Sequence, residues 1–267
     1  MVNSNIGVII NFCSNEKPFI HSLLSQCSIF SSNIVVSYGS HMYDGSPEEL
    51  NEYIAYLKFK YPFVKFMEYK VDLTIPQTEL RGVVKRPTAY WCNLARWQGI
   101  EYLRDNGIKW ILFLDADEIP QGDSMKTWIN ENMLDERYVY KFANYWYFKL
   151  PIYQATQFED SILLANVKHL TLDTVFHDDE RDGIIKVSNA LQSRMVMGAT
   201  PIFHHFSWVR TKEGIAKKLG TWAHRDDLFK GADINSVVEY MYKNENVNDF
   251  VHNYNYVIVS NIFNINI

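Results

Sequence analysis

The sequence predicts an α/β domain with a mainly parallel sheet, helices on its faces and antiparallel strands added in the second half. Three observations carry this. Over residues 6–114, four apolar runs of strand length alternate with three helical stretches, the signature of a doubly wound sheet. The fourth run, Trp110 to Leu114, is apolar without a break, as a strand buried on both faces must be. After Pro120 the chain changes to shorter helices and an alternating, aromatic-rich segment.

Ile6 to Phe12 is the first strand. Pro18 opens a helix that runs to about Phe30, with Phe19, Leu23, Leu24 and Cys27 on one stripe. Asn33 to Tyr38 is the second strand. Pro47, followed by Glu48 and Glu49, starts a second helix ending near Lys60, because acidic residues suit the N-terminal dipole. Phe63 to Tyr69 is the third strand. Thr88 to Asn106 is the third helix, stopped by Gly107 as a left-handed cap, and the fourth strand follows. In the second half the sequence predicts a short helix over 123–132, strands over 138–150, 162–167 and within 194–207, and a helix over 211–224. Ligands of such sheets bind beyond the carboxyl ends of the strands, which places the loops after Phe12, Tyr38 and Leu114 on one rim.

The 267 residues suffice for one large domain, and 1–267 is expected to be one. The chain is 47% apolar and 21% charged, ordinary for a globular protein. Its formal net charge of -5 gives no global pull toward nucleic acid or anionic lipid, so no nucleic-acid partner is expected. An anionic ligand then needs a local basic patch or a metal. The 17 Tyr, 16 Phe and 7 Trp could serve sugar rings or nucleobases as well as the core. Cys13, Cys27 and Cys92 form neither a disulfide framework nor a metal-ligand pattern, which fits a reducing compartment. No stretch reaches the ~20 apolar residues of a membrane span, and Met1 to Asn5 lack the basic start of a signal peptide. A cytoplasmic location is expected.

The strongest chemical signal is Leu114-Asp115-Ala116-Asp117-Glu118. Residues i and i+2 of a strand face the same way, so Asp115 and Asp117 are expected to converge at the sheet rim. Two crowded carboxylates at the end of a buried strand are unfavourable unless a cation offsets them. A divalent ion does so and keeps sites open for phosphate oxygens. An acidic strand-end turn, solvated or paired with arginine, is the plainer alternative.

This stretch resembles the Asp-x-Asp motif of glycosyltransferases with the nucleotide-diphospho-sugar transferase (glycosyltransferase-A) fold, the family 2-like group in particular. The opening strand Ile6 to Phe12, with Asn11, resembles the one whose following loop holds the nucleoside. Asp44, in Asp44-Gly45-Ser46, resembles the acidic turn that contacts the base, displaced by several residues. Lys85-Arg86-Pro87 with Asn93 and Arg96 resembles the basic and amide residues preceding the motif. The resemblance implies Mn2+ or Mg2+ on Asp115 and Asp117, with residues 1–120 binding the donor and 121–267 facing the acceptor. Glu159-Asp160 sits where that group carries its base, so Asp160, then Glu159, would activate the acceptor hydroxyl. The competing acidic run Asp178-Asp179-Glu180-Arg181-Asp182 reads as a solvated loop.

His204-His205-Phe206-Ser207-Trp208, followed by Glu213-Gly214-Ile215 and Lys217-Lys218-Leu219, looks like a stretch of glycosyltransferase family 17, the β-1,4-N-acetylglucosaminyltransferases. Many such folds complete the metal shell with a C-terminal histidine, which points to His205 and, second, His224; imidazole favours Mn2+ over Mg2+. Lys217 and Lys218 could neutralise a departing diphosphate or simply be solvated helix charges. The implied activity is transfer of a sugar from a nucleotide diphosphate sugar, UDP by resemblance, to a glycan, lipid-linked or protein acceptor. Three rivals stand beside it. A sugar-nucleotide nucleotidyltransferase would want glycines in the loop Cys13 to Lys17, which has none. A haloacid-dehalogenase-type phosphatase carries its acidic pair on the first strand rather than the fourth. A non-catalytic carbohydrate-binding protein would have no need of the pair.

Overall fold

A computed structural model describes residues 5–42, 45–69, 87–195, 200–221, 231, 233–243 and 252–267. The first half follows the expected alternation: β1 (Ile6–Phe12), α1 (Lys17–Cys27), β2 (Asn33–Gly39), α2 (Asn51–Lys60), β3 (Val64–Tyr69), α3 (Pro87–Asp105) and β4 (Trp110–Asp115). The four strands pair in parallel in the order β3-β2-β1-β4. Alternation along each strand splits the core between the two faces. Val8, Ile10, Val36, Leu112 and Leu114 pack with Phe19 and Leu23 of α1, while Ile9, Val35, Ile111 and Phe113 pack with Ile100 and Leu103 of α3. Gly7 lets α3 approach, since a Cβ there would come within 2.6 Å of Leu103. Gly107 adopts φ 76° just beyond α3, the left-handed stop read from the sequence.

One expected boundary moves. The second helix begins at Asn51 rather than Pro47, because Pro47 bridges to His41 and the Glu48 N–H donates to the Ser40 carbonyl. Glu48 does not serve the helix dipole; its carboxylate accepts from the Ser14 N–H at 2.8 Å and ties down the loop after β1.

The second half gives β5 (Glu118–Pro120), α4 (Gly122–Glu131), β6 (Tyr138–Phe148), β7 (Tyr153–Asn166), α5 (Leu172–Val175), α6 (Arg181–Val187), β8 (Leu191–Met195), β9 (Phe203–Trp208), α7 (Lys212–Thr221), α8 (Ile234–Lys243) and β10 (Tyr256–Ile258). Strands from both halves enter one sheet, β3-β2-β1-β4-β7-β6-β9-β5, with β10 beside β7 and β8 beside β6. β7 runs antiparallel to β4 and β6, and β5 antiparallel to β9. The strand expected at 162–167 is thus the end of a longer one.

β4 and β5 lie four places apart in this order, yet only Ala116 and Asp117 separate them. Three peptide links span at most about 11 Å, whereas four strand spacings in a flat sheet are about 19 Å. The sheet must therefore curl so that β9 and β5 come round to the end of β4. Register shifts between β6 and β7, at Phe142/Asn144 and Tyr145/Tyr147, supply the bend. Beside the bend, Trp146 of β6 and Trp208 of β9 pack with Ile215 and Leu219 of α7 and Val238 and Met241 of α8.

His204 holds this bend from inside the core. The Gln121 amide donates to Nε2 at 2.9 Å, and Nδ1–H donates to the Tyr147 hydroxyl at 2.8 Å, which donates onward to Gln154. Both ring nitrogens are used by a neutral imidazole, and burial lowers its pKa from 6.5 to about 3. The folded state thus refuses a proton that the unfolded chain accepts below pH 6.5. The stabilising contribution is complete above that pH and is lost as pH falls. Acidifying from about pH 7.5 to about pH 5 should cost roughly 2 kcal/mol through this residue. Urea unfolding across that range should show a shallower decline for His204→Gln than for the parent; equal slopes would refute the assignment.

Candidate active site

β4 delivers Asp115 to the carboxyl end of the parallel sheet, in register with Asn11 of β1. Beyond Asp115 the chain is no longer strand: Ala116 and Asp117 form a turn. The alternation expected to bring both acids to one point therefore stops at Asp115. Both side chains line a cavity of about 250 Å3, but they face different cations.

Asp115 Oδ1 lies 3.2 Å from Arg96 and Oδ2 lies 3.3 Å from Arg181. About a third of its side chain stays exposed. Burial of the carboxyl raises its pKa above the ordinary value, with Glu118 adding to the rise and Arg181 and Arg96 opposing it. Asp117 Oδ2 accepts from Arg210 at 2.9 Å and Lys218 at 3.3 Å, and its Oδ1 faces His205 Nε2 at 3.5 Å. Burial opposes its charge, but Lys218, His205 and Arg210 together hold its pKa well below the carboxylate range. Arg210 is itself clamped by Glu16 at 2.5 Å.

Glu118, which sequence reasoning passed over, is fully buried beneath these two. Arg181 grips both its oxygens, at 2.6 and 2.9 Å, and the Ser161 hydroxyl donates to Oε1 at 2.7 Å. The Asp115 N–H donates to Oε2 at 2.8 Å, so Glu118 also fixes the turn that carries the acidic pair. Burial works against its ionisation, yet Arg181 and His205 keep its pKa below the usual value.

The acidic run at 178–182 is a correction to the sequence reading. It is not a solvated loop at Glu180 and Arg181, which both line the cavity. Glu180 takes φ 50°, a conformation that L-residues rarely adopt, and accepts from Arg96 at 3.0 Å. Such strain costs of order 1–3 kcal/mol and gathers at functional sites. Asn93 and Arg96 share a helix face as expected: Asn93 donates to the His177 carbonyl at 2.9 Å and accepts from Arg96 at 3.1 Å, bracing the segment that presents Glu180.

Asn11 lines the cavity, donating to Cys92 while its Oδ1 is buried without a hydrogen-bond partner. His205 also lines it, opposite Trp146 and Glu118 in the strand register. Lys217 turns to Ser14 at 2.6 Å, while Lys218 enters the cavity. Glu159 and Asp160 lie on β7 outside the cavity lining. Tyr254 holds the first and Lys141 the second, at 3.2 Å, so neither is placed to take a proton from a group inside the cavity. Asp44, Lys85, Arg86 and His224 lie outside the described residues.

Among the described residues no group of three His, Cys, Asp or Glu side chains is placed to hold a metal ion. Two donors, Asp117 and His205, do face each other at the cavity. Two cis ligands about 2.1 Å from an ion stand about 3 Å or slightly more apart, and Asp117 Oδ1 and His205 Nε2 are 3.5 Å apart. His205 Nδ1 is buried without a hydrogen-bond partner and lies 4.0 Å from Glu118 Oε1, beyond hydrogen-bonding distance. These residues fit a cation whose remaining ligands are phosphate oxygens and water.

No family model matches the chain, and no curated protein sequence matches it. Similar solved structures include a mannosyltransferase from Pyrobaculum calidifontis in complex with GDP-Man and Mn2+. It is 12% identical with a TM-score of 0.46, over 81% of this chain and 62% of that one. S. aureus TarS in complex with UDP-GlcNAc is 13% identical with a TM-score of 0.41, over 90% and 73%. A cytidylyltransferase from Leptospira borgpetersenii is 10% identical with a TM-score of 0.41, over 90% and 95%. Likeness at this distance identifies neither a substrate nor a mechanism.

Removing Arg181 should expose how much the turn depends on it. Breaking one side of a buried ion pair costs about 3–5 kcal/mol, so Arg181→Met should lose stability on that scale in urea unfolding at neutral pH. A loss below about 1 kcal/mol would mean that Glu118 is not a buried, paired charge.

Proposed function

We infer that the chain is a cation-dependent glycosyltransferase of the glycosyltransferase-A kind that takes its sugar from a nucleotide diphosphate donor. The observation carrying this is Asp117. One of its oxygens is fixed by Arg210 and Lys218 while the other faces His205 across 3.5 Å at the cavity wall.

The charge balance supports a cation. Around the turn, five carboxylates (Glu16, Asp115, Asp117, Glu118 and Glu180) meet four permanent cations (Arg96, Arg181, Arg210 and Lys218). These nine groups alone leave one negative charge in excess, and a diphosphate would add more. A bound divalent ion would neutralise donor phosphate and ease departure of the nucleotide. Asp117 and His205 would hold that ion, and Mn2+ suits such an oxygen-nitrogen pair better than Mg2+ does.

The chain's own groups divide the remaining work. Lys218 places its ammonium beside Asp117 and is the cation on α7 able to meet charge developing on the leaving diphosphate. Asn11, at the end of β1, offers an unpartnered carbonyl oxygen to a donor nucleoside. Trp146, lining the cavity from β6, offers a face for a sugar ring or base. Asp115, with both oxygens on arginines, keeps Arg96 and Arg181 in place rather than serving as a direct ligand. UDP-N-acetylglucosamine is the first donor to try, on the strength of the family 17-like stretch around His205.

A panel of UDP-, GDP- and CMP-sugars, each with Mn2+, Mg2+ or chelator, tests this by thermal melting and by release of free nucleotide. A donor at a hundred times its Kd stabilises by about 2.7 kcal/mol, which should raise Tm by roughly 5–10 °C in a chain of this size. The rise should need Mn2+ and should disappear in Asp117→Asn and His205→Gln. A donor that binds equally well in chelator would favour a metal-free sugar-binding protein. No shift with any donor would leave the acids a purely structural cluster and sink the proposal.

A further inference from the structure

Lys141 is a charge buried on an apolar face. Alternation along β6 puts Val139 and Lys141 on the same side of the sheet, where Val139 packs with Leu163 of β7 and Ile184 of α6. The Lys141 side chain is only 11% exposed, and lysine is almost never buried unless it is paired. Its ammonium bridges two carboxylates, Asp160 of β7 at 3.2 Å and Asp182 of α6 at 3.1 Å. A lysine buried this far adds little net stability, because desolvation offsets the attraction, so geometry is the better account of it.

The two carboxylates differ in what holds them. Asp160 lies within β7, a strand that the sheet already fixes. Asp182 stands in the first turn of α6, two residues after Glu180, whose left-handed φ of 50° has to be imposed by its surroundings. That strained turn brings Glu180 and Arg181 to the cavity wall. Arg96 holds it at Glu180, and Glu118 holds it at Arg181. Lys141 adds a further hold from β6, at the residue next to Arg181. Packing behind the turn is close as well, since a Cβ on Gly183 would collide with His177. We propose that Lys141 is a positioning residue: through Asp182 it holds the turn at 180–182 that sets Glu180 and Arg181 against the cavity. Lys141 itself does not line the cavity. Any effect on turnover rests on the sugar-transfer reading, whereas the hold on the turn does not.

Cys92 reports the turn without any donor. Its thiol is buried and lies 3.8 Å from the Glu180 carboxylate. Burial pushes its pKa up, with Glu180 adding to the rise and Arg96 opposing it. It should therefore react slowly with N-ethylmaleimide while the turn is in place. Labelling of the whole chain, followed cysteine by cysteine by mass spectrometry, tests the proposal. Lys141→Met and Asp182→Asn should each speed Cys92 labelling on the order of tenfold. Asp182→Glu, which keeps the charge, should label slowly like the parent. Asp160→Asn should change little, because Lys141 keeps Asp182. Cys27, fully buried in the core, reports global opening and should not change. Asp160 and Asp182 are both partly exposed, so Lys141→Met strands no buried carboxylate; if that variant fails to fold, Asp182→Asn decides alone. Four outcomes overturn the proposal: parent-rate labelling in Asp182→Asn, equal rates in Asp182→Glu and Asp182→Asn, equal rates in Asp160→Asn and Asp182→Asn, or Cys27 speeding up in step with Cys92. None of them involves a nucleotide sugar, so this assignment and the sugar-transfer reading can fail separately.

Discussion

Two residues connect Asp115, at the end of β4, to Glu118, at the start of β5, although those strands stand four places apart in the sheet. That shortness governs the rest of the molecule. The sheet has to curl, so β6 and β7 need their register shifts, and β9 arrives beside the end of β4 carrying His205. The turn places three carboxylates in four residues at the inside of the curl. A fully buried Glu118 is tolerable there only because Arg181 and Ser161 occupy both its oxygens. The same curl that creates the electrostatic problem brings its solution, since α6 and α7 supply Arg181 and Lys218 from distant points of the chain.

The cations are not interchangeable around this cluster. Arg96, Arg181 and Arg210 are planar forks, each bonded to two carboxylates, and such groups hold geometry as well as charge. Lys218 is a point charge on a flexible stem, held by Asp117 and by Ser207. The arginines therefore build the frame, and the lysine adds one positive charge at Asp117 without a fork's geometry. The raised pKa of Asp115 comes from burial, with Glu118 adding to it, and the lowered pKa of Asp117 comes from Lys218, His205 and Arg210 overcoming burial.

Much of the fold was legible in the sequence because β1 to β4 obey local rules. Apolar runs, Pro18 near a helix start and Gly107 past a helix end are decided by neighbours in the chain. The acidic turn was legible for the same reason, as carboxylates directly after an apolar strand. What could not be read was the partner of each acid. Arg181 lies 66 residues from Asp115 and Arg210 lies 93 from Asp117, and pairings at such separations are set by the curl of the sheet. Arg181 had a signal that went unused: a charged run just ahead of a short apolar helix, Ile184-Ile185. Glu118 had one as well, an acid flanked by Asp117 and Ile119-Pro120 where no solvent-facing loop could fit. The base expected at Asp160 or Glu159 rested on a family resemblance in motif and spacing, and neither specifies which side of a bulged strand faces the cavity.

The arginine locks bear directly on the cation. If both acids of the motif were saturated by arginine, an ion would have to displace a guanidinium from a buried carboxylate, and the remaining unpaired charges would oppose it. Asp115 is in that position, with one arginine on each oxygen. Asp117 is not, because Arg210 and Lys218 share a single oxygen and leave the other turned toward the His205 imidazole. On the proposed reading, an ion arriving with a diphosphate would take Oδ1 and Nε2 without breaking an arginine pair. The two acids are thus held asymmetrically: the first has an arginine on each oxygen, the second has both its cations on one oxygen and His205 across from the other, and Glu118 fixes the turn between them.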